Sequence, residues 1–451
     1  MPKPVLSSLA ATIKRQPPMR ASRFNILSRV EGSDDHIIVN LLSGQADLIT
    51  PEEAEGLASP RGSFAERCLE KGYLADPVRE EMLYRLRFID FLEKRNQEEV
   101  QVFFVPTYTC NFSCSYCYQS AYNRAPAKLS AEVFDGFFRF LDVQLAGRRH
   151  YITLFGGEPL LPSPSYRASL SAFIERCGQR GVELAIVTNG YHLDSYFSTL
   201  KGAAIREIQL TLDGTRAVHD ARRPLKGGKP SFDVVVSNLE ECLELGYPVN
   251  LRVVLDRENM GNLPALAAYA VEKGWTRHPL FKTQLGRNYE LHHCQTGNHS
   301  LYSRIDLYKD LYHLIQQYPE ITEFHRPAFS VTKFLFDNGR LPDPLFDACP
   351  ACKSEWALDH YGTIYPCTAT VGKAGEEVGS FHPALVLDQE AVRAWQGRDV
   401  AAIKECQDCA LQLACGGGCG SLAKNRNGNL LSPDCRPVKD LIGLGAAVYF
   451  S

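Results

Sequence analysis

The 451-residue sequence lacks any long hydrophobic run, any secretory segment and any excess of one charge. No stretch approaches the roughly 18 apolar residues that cross a bilayer. The last apolar run, Leu441 to Phe450, contains two glycines and is too short, so 441–451 reads as a C-terminal tail. No apolar h-region opens the chain, which argues against export. Lys and Arg number 49 against 52 Asp and Glu, a net charge of −3. That balance makes no electrostatic case for nucleic acid or an anionic membrane as partner. The expectation is a cytoplasmic protein that binds neither.

What the sequence does have is cysteine. Fifteen residues, an odd number in a chain without a signal segment, point to metal ligation in a reducing compartment rather than to a disulfide framework. The length predicts two or three domains, and an apolar content of 45% is that of a globular protein with a buried core. Cys110, Cys114 and Cys117 stand at C-x3-C-x2-C just after Val102-Phe103-Phe104-Val105, a run that predicts a buried strand. A tight loop of this kind can turn three thiolates onto a [4Fe–4S] cluster. Electron carriers mostly use four thiolates. Three, with no fourth nearby, leave one iron for a substrate or cofactor, as catalytic metals keep a position open. A zinc knuckle is the competing reading.

Around this loop the pattern alternates. Strands are expected at 101–106, 151–155, 183–188, 206–212, 249–255 and 278–284, with amphipathic helices near 130–146, 166–180, 192–201, 231–245 and 262–273. Such alternation argues a parallel sheet with helices outside. Ahead of it, Phe24–Leu27 and His36–Leu42 predict two strands, and Thr50-Pro51-Glu52-Glu53 starts a helix with a cap, a first-turn proline and acids. Further helices are expected around 64–71 and 76–94. The organisation expected is a flexible tail over 1–22, an α+β domain over 23–95, a barrel over 96–299, a helical connector over 300–345, a Cys-rich domain over 346–440 and the tail 441–451.

The cysteine loop, with the aromatic Tyr116 before its third Cys, resembles the signature of the radical S-adenosylmethionine (SAM) enzymes. The resemblance implies a partial (β/α)6 TIM-like barrel in an α/β fold, with a small α+β N-terminal domain and a Cys-rich, loop-rich C-terminal iron–sulfur domain. It implies that Cys110, Cys114 and Cys117 hold a cluster whose open iron chelates SAM, and that reduction cleaves SAM to a 5′-deoxyadenosyl radical. Gly156-Gly157-Glu158-Pro159, about 40 residues beyond the third Cys, matches the run that holds the SAM amino group in the family. Thr188-Asn189-Gly190 and Thr211-Leu212-Asp213-Gly214 match further SAM-contact segments, with Thr211 where the family usually has Ser. Arg223 is the candidate for the SAM carboxylate, since its fork suits that anion, and Arg222 is the alternative. Arg252 and Asn259 also match family positions, with a structural role equally open. By their residue types alone, His292 and His293 in Leu291-His292-His293-Cys294 are weak candidates for a proton relay.

The C-terminal third carries Cys349, Cys352, Cys367, Cys406, Cys409, Cys415, Cys419 and Cys435 among Gly-rich turns. By composition, two four-thiolate zinc sites and two clusters are equally open. Their arrangement resembles the SPASM extension of radical SAM enzymes that modify peptides and proteins. The resemblance implies two auxiliary [4Fe–4S] clusters, the first on Cys349, Cys352, Cys367 and Cys419 and the second on Cys406, Cys409, Cys415 and Cys435. With the SAM cluster this makes three. Cys68, Cys177 and Cys242 fall on apolar helix faces and read as core.

The activity implied is radical oxidation or cross-linking of a ribosomally made precursor peptide or protein, fed by a low-potential donor such as flavodoxin or ferredoxin. Strands followed by short helices over 23–95 resemble the winged-helix elements that hold leader peptides, and a plain cap on the barrel explains them as well. Sulfatase maturases, the second reading, carry an Asp directly after the cysteine that is here Cys367, whereas this chain has Thr368. A non-catalytic iron–sulfur carrier or peptide-binding protein is the third.

Overall fold

The computed structural model describes residues 19–117, 129–288 and 299–450. His292, His293 and Cys294 lie outside the described residues. The N-terminal strands are β1 (Arg20–Ala21), β2 (Asn25–Arg29), β3 (His36–Asn40), β4 (Gln45–Ile49) and β5 (Leu74–Ala75). β2, β3 and β4 form an antiparallel sheet, and β1 pairs with β5. The expected tail therefore ends by Arg20, where pairing begins. β4, with Ile49 its one buried residue, is recruited by its register with β3. The helix Pro51–Gly56 starts as its sequence dictates, with Thr50 and Glu53 forming a reciprocal capping box. The helix Pro77–Gln97 is capped by Asp76.

The expected tail at 441–451 is instead a helix, Val438–Tyr449, packed against β2 and β3. Its two glycines, which weakened the sequence signal, are what allow the packing. A Cβ on Gly443 would run into the carbonyl oxygen of Arg29, and one on Gly445 into the Thr332 hydroxyl. Gly costs helix propensity, roughly 1 kcal/mol against Ala, and here the close approach offsets it. This helix and the N-terminal sheet share a core with Phe346, Leu413, Cys406 and Cys415.

The central sheet comprises β6 (Val100–Val105), β7 (His150–Leu154), β8 (Leu184–Val187), β9 (Ile205–Thr211), β10 (Val249–Leu255) and β11 (Phe281–Arg287), all parallel and in sequence order. Helices intervene at Ala131–Gln144, Pro164–Gln179, Phe232–Glu244 and Leu263–Glu272, as the periodicity predicts. Phe104 on β6 packs on Phe134, Phe137 and Phe173 of the covering helices at 4.6–6.2 Å between ring centroids. Cys68, Cys177 and Cys242 are buried as expected. β11 begins three residues later than its pattern indicates. Pro279 has no N–H for the ladder, and a short 3-10 turn, Trp275–Arg277, precedes it.

One feature of the sheet has no local sequence signal. β12 (Glu355–Asp359) adds in parallel to the outer edge of β6, with Glu355 opposite Gln101 and Asp359 opposite Val105. β13 (Thr363–Tyr365), β14 (Gly379–Ser380) and β15 (Val386–Leu387) continue the sheet antiparallel. The Cys-rich region is thus fused to the barrel through the strand that leads into the first cysteine loop. Tyr108 in that loop donates to the buried Asp359 carboxylate at 2.9 Å, tightening the join.

Candidate active site

The loop after β6 turns over a bed made by two other segments. Ser113 and Ser115 donate through their backbone N–H to the carbonyls of Pro224 and Arg222, and Lys226 donates to that of Asn111. On the other side Gly157 and Glu158 donate to the carbonyls of Thr107 and Thr109. Gly156 and Gly157 bring backbone into close approach. What they approach is this loop: a Cβ on Gly156 would stand 2.5 Å from the Thr107 carbonyl oxygen, and one on Gly157 would overlap that of Thr109.

Cys110, Cys114 and Cys117 gather on this loop. Burial pushes the Cys110 thiol up to about 12, and Glu158 and the other two sulfurs add to that rise. Burial also raises the Cys114 thiol, opposed by the Arg223 guanidinium. Crowded sulfurs of this kind lose their protons readily only to a cationic centre that takes them as ligands. The donor set therefore fits a metal cluster. Among the described residues no three His, Cys, Asp or Glu side chains close around one point as a single ion requires.

Glu158 is buried and its carboxylate accepts from the Thr188 hydroxyl and Asn189 N–H, both at 2.6 Å, and from Leu160 N–H at 2.8 Å. Burial raises its pKa while these donors hold it down. It thus ties the β7 and β8 ends together. Pro159 accepts from the Tyr166 hydroxyl. Asn189 reaches on through Nδ2 to the Asn111 side-chain oxygen at 2.7 Å. Asp213, at the end of β9, accepts from Val254 N–H and so joins β9 to β10. His219 accepts from Asp213 N–H through Nδ1 and donates from Nε2 to Ser231, which fixes a neutral ring.

Both adjacent arginines keep a buried Nε without a hydrogen-bond partner, and they differ in the rest of the fork. Arg222 forms a two-pronged pair with Asp256 at 2.8 and 2.9 Å and also meets Glu258, so it has no fork to offer an anion. Arg223 donates to the Tyr116 hydroxyl at 2.5 Å, lies against the cysteine loop, and keeps a buried Nε without a partner. Asn259 is wholly structural, with its amide bound to the carbonyls of Asp213 and Val254 and to Asp256 N–H. Tyr116, Thr211 and Arg252 line the barrel cavity, which measures about 580 Å³.

The eight C-terminal cysteines divide into two neighbourhoods. The Cys349 sulfur acts electrostatically on Cys352, Cys367 and Cys419, and that of Cys419 on Cys367. Burial is the largest cause of the raised Cys367 and Cys352 thiols. Gly420 leaves room for the Cys349 sulfur, which would be 3.1 Å from a Cβ there. Cys406, pushed up to about 11 chiefly by burial, feels Cys415, Cys409 and Cys435. Residues missed by sequence reading hold these loops. The buried Arg398 donates to the carbonyls of Gly417, Gly418, Leu430 and Ser432, and Lys353 to Asp347 and the Cys349 carbonyl. Thr368 gives both its N–H and its hydroxyl to Glu355 and lines the barrel cavity with Ala369. A lone Arg or Lys among polar residues gave no hint of such roles.

Residues 104–270 match the radical SAM superfamily. The chain is 30% identical over 174 residues to the GTP 3′,8-cyclase of Campylobacter fetus subsp. fetus, covering 37% of this chain and 51% of that protein. It thus spans about half the length of such curated relatives. It is 24% identical over 333 residues to the mycofactocin maturase MftC of Mycolicibacterium smegmatis, 69% of this chain and 76% of the maturase. Among solved structures, native anSMEcpe with bound AdoMet and Cp18Cys peptide superposes with a TM-score of 0.60 at 17% identity, over 77% of this chain and 97% of that one. Streptococcus suis SuiB bound to precursor peptide SuiA gives 0.51 at 16%, over 93% and 99%. Within residues 104–270, from β6 to the helix after β10, the protein carries a radical SAM domain. Beyond that domain, its fold is shared with the peptide-bound radical SAM structures along most of its length.

Proposed function

We infer that the chain is a maturase that oxidises or cross-links residues of a ribosomally synthesised peptide. The observation that carries this reading is the partition of its thiols into one set of three and two sets of four. Cys110, Cys114 and Cys117 would hold the SAM-binding cluster. Cys349, Cys352, Cys367 and Cys419 would hold one auxiliary cluster, and Cys406, Cys409, Cys415 and Cys435 the other. Bound there, these groups would supply the reductive cleavage of SAM and an acceptor for the electron released when the substrate is oxidised.

The chain's own residues do the positioning. Arg223, beside Cys114 and with an unpartnered Nε, suits the SAM carboxylate. Glu158, Asn189 and Asn111 lock three strand ends around the loop. The barrel cavity of about 580 Å³ would take the substrate. The N-terminal sheet, packed beside the Cys406 neighbourhood, is read as the element that holds the leader part of the peptide, and the likeness to SuiB over nearly the whole chain supports it. Thr368, bound to Glu355 and without a carboxylate of its own, is why formylglycine formation ranks second.

The test is to supply the iron-loaded protein with SAM, a reductant such as flavodoxin and candidate precursor peptides. Loss of hydrogen from a peptide together with 5′-deoxyadenosine is the expected result. Cys110→Ala should abolish both while retaining auxiliary-cluster iron. SAM cleavage at the wild-type rate in that variant would end the assignment.

A further inference from the structure

TIM-type barrel interiors are ordinarily packed with branched apolar side chains. The interior of this one sets polar side chains among apolar ones such as Phe103, Phe155 and Val254. Gln101 donates to Thr153 at 2.9 Å and Gln209 to Gln284 at 2.8 Å across it. In the middle of this wall stands Arg252 on β10, level with Thr211 on β9 and Gln284 on β11. Among the described residues its guanidinium has no hydrogen-bond or ion-pair partner.

Its charged neighbours are committed elsewhere. Glu207 is paired with Lys282 at 2.5 Å, and Arg287 donates to the Tyr302 carbonyl. The guanidinium rests over Gly286 on β11, where a Cβ would be 3.1 Å from Nη2 and 3.2 Å from Nε. A glycine at that point keeps the seat open. A guanidinium inside a cavity loses hydration, and a carboxylate returns it through two parallel hydrogen bonds. The cysteine loop has a separate cation in Arg223, which stands beside Cys114.

We propose that Arg252 anchors a carboxylate of the peptide substrate inside the barrel, supplied by an acidic side chain or by the peptide's C-terminus. The proposal rests on the peptide-modifying reading. It makes Arg252 a specificity-determining residue and Gly286 the residue that keeps its position available.

The probes are blocked tripeptides: acetyl-Gly-Glu-Gly-amide against its Gln counterpart, and acetyl-triglycine as free acid against amide. Each is titrated calorimetrically into the iron-loaded, SAM-bound full-length protein. The carboxylate-bearing member of at least one pair should bind about tenfold more tightly, the worth of one charge-assisted pair. Preference in the first pair assigns the side chain as source, and preference in the second assigns the terminus. Arg252→Gln should erase the preference and Arg252→Lys should keep part of it. Equal affinity within both pairs overturns the anchor and leaves the peptide reading standing. Failure of every tripeptide to bind counts against the peptide reading itself. An equal loss of SAM affinity in Arg252→Gln without peptide would assign the guanidinium to the cofactor and also overturn the proposal.

Discussion

Asn189 donates through Nδ2 to the side-chain oxygen of Asn111 at 2.7 Å, linking the turn after β8 to the middle of the cysteine loop. Neither residue is a thiol ligand, yet the bond sets where the loop stands relative to the other strand ends. Its loss strands a half-buried acceptor, a cost of about 1 kcal/mol. Asn189→Ala is therefore expected to weaken SAM binding several-fold while leaving total iron near wild type. Equilibrium dialysis with labelled SAM reads this out.

Gly157→Ala tests the seat beneath the loop. The added methyl group would overlap the Thr109 carbonyl oxygen, and backbone cannot yield as a flexible side chain does. The variant is expected to lose iron selectively from the SAM-binding cluster, seen as a fall in total iron of about one cluster in three. A fully loaded Gly157→Ala would show that the loop can shift without consequence.

The Arg222–Asp256 pair is a stability element. Both side chains are buried and bonded by two prongs. Removing one partner of such a pair leaves a buried charge and costs about 3–5 kcal/mol. Arg222→Met is expected to lower the thermal midpoint by several degrees, and Arg223→Met, by contrast, to act mainly on SAM affinity. Adjacent arginines with opposite phenotypes would separate the two roles.

Acid should destabilise the fold through two histidines. Burial pulls His325 down to about 4, and burial with the nearby Arg223 and Arg222 pulls His219 well below its ordinary value. Folded values below the unfolded one of about 6.5 mean the unfolded chain binds more protons in between. Their stabilisation is present above that value and is lost as pH falls towards the folded values. From about pH 7.5 to about pH 5.5 His325 should cost about 1.4 kcal/mol, and His219 acts in the same direction. His325→Gln should flatten that slope, measured as the thermal midpoint against pH.

The parts legible in the sequence are those fixed by short-range pattern. The strand Val100–Val105, the helices between the parallel strands and the capped start at Thr50 follow from periodicity and caps. The cysteine loop follows from three thiols within eight residues. What could not be read depends on distant partners. Arg222 and Arg223 are told apart only by Asp256, more than thirty residues away. β12 joins β6 across about 250 residues, and nothing in Glu355–Asp359 announces it. Gly443 and Gly445 read as helix-weakening until the backbone and side chain they face are known.

The most direct test of the central claim is iron and acid-labile sulfide per chain in anaerobically purified protein, with EPR of the reduced sample with and without SAM. The account predicts about twelve irons per chain and a signal that shifts when SAM is added, from one open cluster and two closed ones. About four irons with two zincs would contradict it, because the eight C-terminal thiols would then have no redox role to offer a maturase.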